Sequence, residues 1–230
     1  MRVARNLAVA AAAVGVYAAV IRPRMLRSGA TPEEVESPYP GAGLVPESAR
    51  GSTMAATIDA PPERVWPWLV QMGHERAGWY SWDRLDNFGK RSADAIHPEW
   101  QDVSVGDQVV SAPDGKHWFE VAALEPLRFL ALRATFDLRG RQIPSGGIRP
   151  PAYTDSVWCF LLKELPGQRT RLVVSVYGSA RPRLLNALAS FAFWEPAHWI
   201  MQRRQFTNLR RRTELRQPEL AANPLAPASW

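Results

Sequence analysis

The 230-residue sequence predicts an α+β fold: antiparallel strands in a meander, one long C-terminal helix, and an apolar helix at the N-terminus. Three observations predict it. Period-two segments separated by turn residues recur between residues 52 and 178, a helical pattern runs from Pro182 to about Leu215, and residues 7–21 carry no charge. At 46% hydrophobic and 22% charged the chain is ordinary globular material, which excludes wholesale disorder. Its length suits one domain with additions. Cys159 is the single cysteine, so an internal disulfide and a multi-cysteine metal site are excluded.

The net charge of +6 sits at the ends. Residues 1–28 hold five arginines and no acid, and residues 203–230 hold six arginines against Glu214 and Glu219. The body between them holds 17 basic and 20 acidic residues. A slightly acidic body argues against nucleic acid as a partner.

Residues 7–21 lie between Arg2 and Arg5 on one side and Arg22, Arg24 and Arg27 on the other. Fifteen helical residues reach about 22 Å, short of a hydrocarbon core of about 30 Å. Adding Val3 and Ala4, with Arg5 snorkelling, nearly closes the gap, so residues 1–22 are expected to be a transmembrane anchor inserted through residues 3–22. A cleaved signal peptide is one rival reading, because a basic start, an apolar stretch and small residues at Ala18 and Ala19 also fit one, and a buried or peripheral helix is the other. The arginines that follow favour the anchor. They leave open which side of a membrane the rest of the chain occupies.

Residues 23–49, rich in proline and glycine, read as an extended tether. A folded domain is expected over residues 50–216. It opens with a strand at 52–58, in which Met54, Ala56 and Ile58 alternate with Thr53, Ala55 and Thr57. A helix follows the Asp59-Ala-Pro-Pro start, with Val65, Leu69 and Met72 on one stripe. Residues 73–104 are aromatic and irregular, with a short helix expected over 83–88, capped by Ser81. Strands are expected at 108–111, 118–123 and 128–135, then a long loop at 137–152, then strands at 155–164 and 170–178. In the first of these two, Val157, Cys159 and Leu161 alternate with Trp158, Phe160 and Leu162, so both faces are apolar and both need cover. Pro182 opens the long helix, carrying Leu184, Leu185, Leu188 and Phe191 on one stripe, and Pro196 inside it should kink it. Residues 217–230 have little periodicity and are expected to be a disordered tail.

The run Ile58-Asp-Ala-Pro-Pro-Glu-Arg-Val-Trp-Pro-Trp-Leu resembles the first strand–helix junction of the START-like superfamily, also known as SRPBCC or polyketide cyclase–lipid transport proteins. Trp68-Leu-Val-Gln-Met-Gly with Ala77-Gly-Trp-Tyr-Ser-Trp-Asp-Arg-Leu-Asp-Asn looks like a membrane-tethered actinobacterial branch of it. The tether motifs Leu26-Arg-Ser-Gly-Ala-Thr-Pro-Glu-Glu-Val and Pro40-Gly-Ala-Gly-Leu-Val-Pro point the same way. The resemblance covers about residues 22–214. It implies a helix-grip fold, a curved antiparallel sheet around the long C-terminal helix with a cavity between them. It does not choose an activity, since the superfamily mixes ligand carriers, cyclases and inactive modules.

An apolar hollow with few polar groups is a usual small-molecule site, so an apolar small molecule or lipid is the expected ligand. The candidate ligand-binding residues are Trp68, Trp79, Tyr80, Trp82, Asp83, Trp100, Phe191 and Trp194. Trp66 belongs to the same aromatic set, and for each ring core packing is the competing role. Asp83, Asp86, Asn87, His97 and Glu99 would form a polar rim, or else a solvated face held by hydrogen bonds. Glu195, His198 and Gln202 continue the apolar stripe of the long helix. Glu195 and His198 are the acid–base pair if the chain is a cyclase- or dehydratase-like enzyme, and surface residues if the helix rotates past Pro196. A third reading is a non-catalytic interaction module at the membrane. No metal is expected, because the four histidines lack ligand spacing, and no cofactor, because no phosphate-binding glycine loop is present. A nucleophile elbow is missing too, and Cys159 reads as packing.

Overall fold

The computed structural model describes residues 2–214. The expected tail at 217–230 lies outside the described residues. Among the described residues six strands form one antiparallel sheet in the order β1-β6-β5-β4-β3-β2. They are β1 (Ala49–Ile58), β2 (Gln108–Val110), β3 (Trp118–Glu125), β4 (Phe129–Asp137), β5 (Tyr153–Leu165) and β6 (Arg169–Arg181). The first and last strands in sequence are neighbours, which places the two ends of the domain side by side. Register irregularities at Arg50/Ser52 and Val121/Ala123 bend the two flanks of the sheet.

The long helix covers residues 183–214 and closes one face, giving the helix-grip arrangement. Its second half is seated: Gln202, Gln205, Phe206, Leu209 and Thr213 are buried at helical spacing. Of these, Phe206 and Leu209 share one apolar core with Met54, Ile58, Leu130, Phe160, Leu172 and Val174 from the sheet. The helix Pro62–Val70 contributes Val65, Trp68 and Leu69 to the same core. The first half of the long helix stands clear, with Leu184 73% and Leu188 59% exposed.

Pro196 acts through a π-turn. It has no N–H to give the carbonyl of residue 192, and its ring crowds that carbonyl. The helix answers with the π-helical stretch Ser190–Trp194, in which Glu195 N–H reaches back five residues to Ser190. The N-terminal helix repeats the device before Pro23: Tyr17–Ile21 is π-helical and Arg22 N–H bonds the Tyr17 carbonyl. That helix runs from Arg2 to Leu26, long and apolar enough to cross a membrane, a property that a signal sequence shares.

Residues 23–49 are packed against the sheet and do not form the expected extended tether. Thr31 and Glu34 make a capping box for the short helix Pro32–Glu36. Glu34 then pairs with Arg171 of β6 at 2.7 Å. The Ser28 carbonyl accepts Ala55 N–H at 3.0 Å, covering part of the exposed edge of β1. The Tyr39 hydroxyl lies 2.8 Å from the Val173 carbonyl, deep against the outer face. Tyr39 and Val45 complete a second apolar core with Phe129, Val157, Cys159 and Val173. Both faces of β5 are therefore covered, as its continuous apolar run requires.

Two further expectations change. Residues 83–88 form turns, not a helix: Phe88 takes a φ of 53°, and Ser81 gives its hydroxyl to the Met201 carbonyl instead of capping. The loop after β4 is pinned at both ends. Asp137 accepts Arg139 N–H and Arg141 N–H, and Asp155 holds Arg133 and Arg149.

Candidate functional site

The expected enclosed hollow between residues 183–202 and the sheet is not among the best-formed concavities of the described residues. Those are open depressions elsewhere. One, of about 520 Å³, is lined by Ala19, Val20, Pro23 and Arg27, and one of about 370 Å³ by Asp137, Gln142, Ile143 and Ile148. Under the seated half of the long helix the interior is packed with the large side chains Trp68, Tyr80, Phe160 and Phe206.

The candidate residues consequently fall into three places. Trp68 and Tyr80 are core: their rings meet edge to face at 5.7 Å, and the Tyr80 hydroxyl takes a hydrogen bond from Gln71 at 2.8 Å. Trp66 and Trp79 are buried with them. Trp82, Asp83 and Trp100 lie on the irregular 73–104 segment. Trp82 is 44% exposed under Arg204, Asp83 accepts the Ser92 hydroxyl at 2.6 Å, and Trp100 stacks on His97 at 4.3 Å. Phe191 and Trp194 lie on the free half of the long helix, Phe191 against Tyr17 and Trp194 62% exposed.

The polar rim does not converge. Asn87 is buried between His74 and the Lys90 carbonyl, while His97 and Glu99 face each other in solvent at 3.3 Å. Burial raises the Asp86 carboxyl above its ordinary value. Asp83 does pin its turn to the following loop, because Ser92, its donor, also accepts Tyr80 N–H.

Glu195 and His198 are likewise not joined. Both Glu195 oxygens accept from the Arg22 guanidinium of the N-terminal helix, at 2.5 and 2.8 Å. That fork leaves Glu195 committed to a structural bond. The His198 ring instead packs edge-on against Trp158, 6.1 Å between centroids. Its Nε2 has no partner and no solvent contact. Burial lowers its pKa to about 4, so the imidazole is neutral near pH 7.

Around His198 the geometry does gather a site. Trp158 of β5 lies beside Trp79, Phe119 and Phe160, with ring centroids at 6.0, 6.2 and 4.6 Å. Its Nε1–H donates to Gln202 at 3.2 Å, Gln202 donates to Gln205, and Gln205 donates to the Trp79 carbonyl. Register places Ser52, Val176 and Trp158 in one row across β1, β6 and β5. The buried Ser52 hydroxyl, two strands and about 10 Å from Trp158, also has no partner. Beyond this row, Thr154 and Ser156 of β5 and Gly178 and Ala180 of β6 continue the helix-covered face and are only half-buried. The result is a shelf, aromatic at its inner end and small or hydroxylic at its outer end, overhung by the free half of the long helix.

Of this shelf the sequence marks Trp79, His198 and Gln202. It misses Phe119, Trp158 and Ser52. The alternation of Trp158 with Cys159 is visible in the sequence, but which of the two faces receives the helix is a tertiary fact.

No family model and no curated protein matches the chain. Similar solved structures include protein MLL2253 from Mesorhizobium loti, 22% identical over 73% of this chain and 100% of that one, with a TM-score of 0.41. DynU16, from the dynemicin biosynthetic locus, is 17% identical over 72% of this chain and 48% of its own, with a TM-score of 0.40. Ara h 8.0201 is 13% identical over 70% of this chain and 98% of its own, with a TM-score of 0.38. Their identities and superpositions are too low for any of their properties to pass to this chain.

Proposed function

We propose that the chain is a membrane-tethered START-like module that binds an apolar small molecule or lipid carrying a hydrogen-bonding group, without covalent chemistry of its own. The ligand lies on the shelf between the Ser52–Val176–Trp158 row and the overhanging helix. The observation that carries this is a half-open aromatic surface flanked by two buried polar atoms, Ser52 Oγ and His198 Nε2, that have no partner. Buried polar groups are nearly always paired, and each orphan costs about 1–3 kcal/mol. A ligand hydroxyl or carbonyl would satisfy either one, while its apolar body covers Trp158 and Phe119. The N-terminal helix supplies the tether, which keeps the shelf close to a reservoir of apolar molecules.

Organic extraction of the full chain purified in a defined detergent, followed by mass spectrometry, tests the reading. A co-purified apolar molecule is expected at near-equal molar ratio, and Ser156→Trp, which fills the outer shelf, should reduce it about tenfold, a loss of about 1.4 kcal/mol. Equal loads on the native chain and the filled variant would overturn it.

A further inference from the structure

Residues 184–194 are eleven consecutive positions without a charge, and their large side chains other than Phe191 face outward. Leu184, Leu185, Leu188, Phe193 and Trp194 are 73, 56, 59, 60 and 62% exposed. Scattered exposed apolar residues need no account, but a continuous run on an isolated helix does. Beyond it the helix becomes buried against the sheet from Gln202 onward, with Ile200, 46% exposed, between the two stretches.

What covers it is indicated by its neighbour. The Tyr17 hydroxyl donates to the Phe191 carbonyl at 3.0 Å, their rings meet edge to face at 4.8 Å, and Arg22 pairs with Glu195. Tyr17 to Arg22 matches Phe191 to Glu195 in order, so the two helices run in the same direction and their apolar stretches project from the same end of the molecule. We infer that residues 184–194 are a second lipid-embedded element, lying in the membrane–water boundary beside the N-terminal helix without crossing. Eleven helical residues are about 16 Å long, half of what a span needs. The charge pattern fits this depth. Arg203 and Arg204 follow the segment with the sign that anionic headgroups attract, while Arg181 and Arg183 before it are paired with Glu47 at 3.3 and 3.6 Å. Trp194 and Trp199 occupy the end where an amphipathic ring suits the headgroup level.

This inference rests on the membrane placement of the N-terminal helix proposed above, and its test separates the two. The full chain is reconstituted in phosphatidylcholine–phosphatidylglycerol vesicles with a polarity-sensitive fluorophore at Leu188→Cys or Phe193→Cys, or at Leu184→Cys should either fail to fold. Glu164→Cys, at the opposite end of the sheet, is the reference, and native Cys159 is buried and gives the unlabelled baseline. Nitroxide lipids should quench positions 188 and 193 several-fold more than position 164, and aqueous iodide should do the reverse. Iodide quenching at 188 and 193 equal to that at 164, on vesicles that still retain the chain, overturns this inference alone. Shielding from both quenchers also overturns it, since a second copy or another protein would then cover the segment. Failure of the chain to float with vesicles removes both readings.

Discussion

His198 is held neutral by burial, without an acid beside it, and that has a consequence for stability. Its pKa falls from an ordinary 6.5 to about 4 in the folded chain. The unfolded chain therefore binds the proton first as pH drops. The stabilisation is complete above pH 6.5 and is lost as pH falls from there through about 4, a loss of up to about 3 kcal/mol. Urea denaturation of the full chain in detergent, at pH 7 and pH 5, should show the native chain losing stability in this window. His198→Phe should be much flatter there. An equal pH slope in both would place the ring in solvent and dissolve the orphaned Nε2 with it. The sequence marks this residue through its spacing on the long helix, but not its environment. The aromatic partner that desolvates it, Trp158, lies 40 residues away on a strand whose two faces look alike in sequence.

The elements that are legible in sequence are those whose pattern is dictated by one partner. β5 and β6 pair over their full length, and their alternation announces them before any fold is known. The long helix announces itself by its stripe, yet only its second half is gripped. Leu184, Leu185 and Leu188 read as core when the helix is taken as one face, because sequence periodicity reports a helix's apolar side and not what meets it. The joint between the two end helices is equally invisible, since Arg22 and Glu195 are 173 residues apart. That joint makes a prediction. The pair is partly buried, and both carboxylate oxygens are used, so Glu195→Gln should detach the N-terminal helix locally without unfolding the sheet. Amide exchange at residues 24–30 is expected to quicken about tenfold, equivalent to about 1.4 kcal/mol, while exchange in β5 and β6 stays unchanged. A uniform acceleration across the sheet, or none at residues 24–30, would show that the ion pair does not hold the helix.

At the scale of the molecule, the segment between the N-terminal helix and the domain decides how the two are coupled. A free tether would let the sheet tumble at any angle to the N-terminal helix. The packed course seen at residues 28–48 fixes it, because Glu34, Tyr39 and Val45 bind the outer face that the long helix leaves bare. Its proline and glycine content, which reads as flexibility, here lets an irregular chain lie flat on a pleated surface. Gly41 shows the tolerance: a Cβ at this position would come 2.2 Å from Cys159 Sγ and 3.5 Å from the Phe129 ring. Cys159 sits mid-sheet, bonded into β4 and β6 on either side, so the strand cannot yield and the segment must lift. Gly41→Ala should cost about 1–3 kcal/mol in urea denaturation, the range for overpacking. The thiol of Cys159, kept inert by burial that pushes its pKa up to about 12, should become reactive towards a maleimide at the same time. Adding Cys159→Ala removes the clashing sulfur and should restore at least half of the lost stability, a coupling expected only between groups in contact. If Gly41→Ala leaves both stability and thiol reactivity at native levels, the segment is not seated on the sheet, and the shelf has no fixed orientation towards the N-terminal helix.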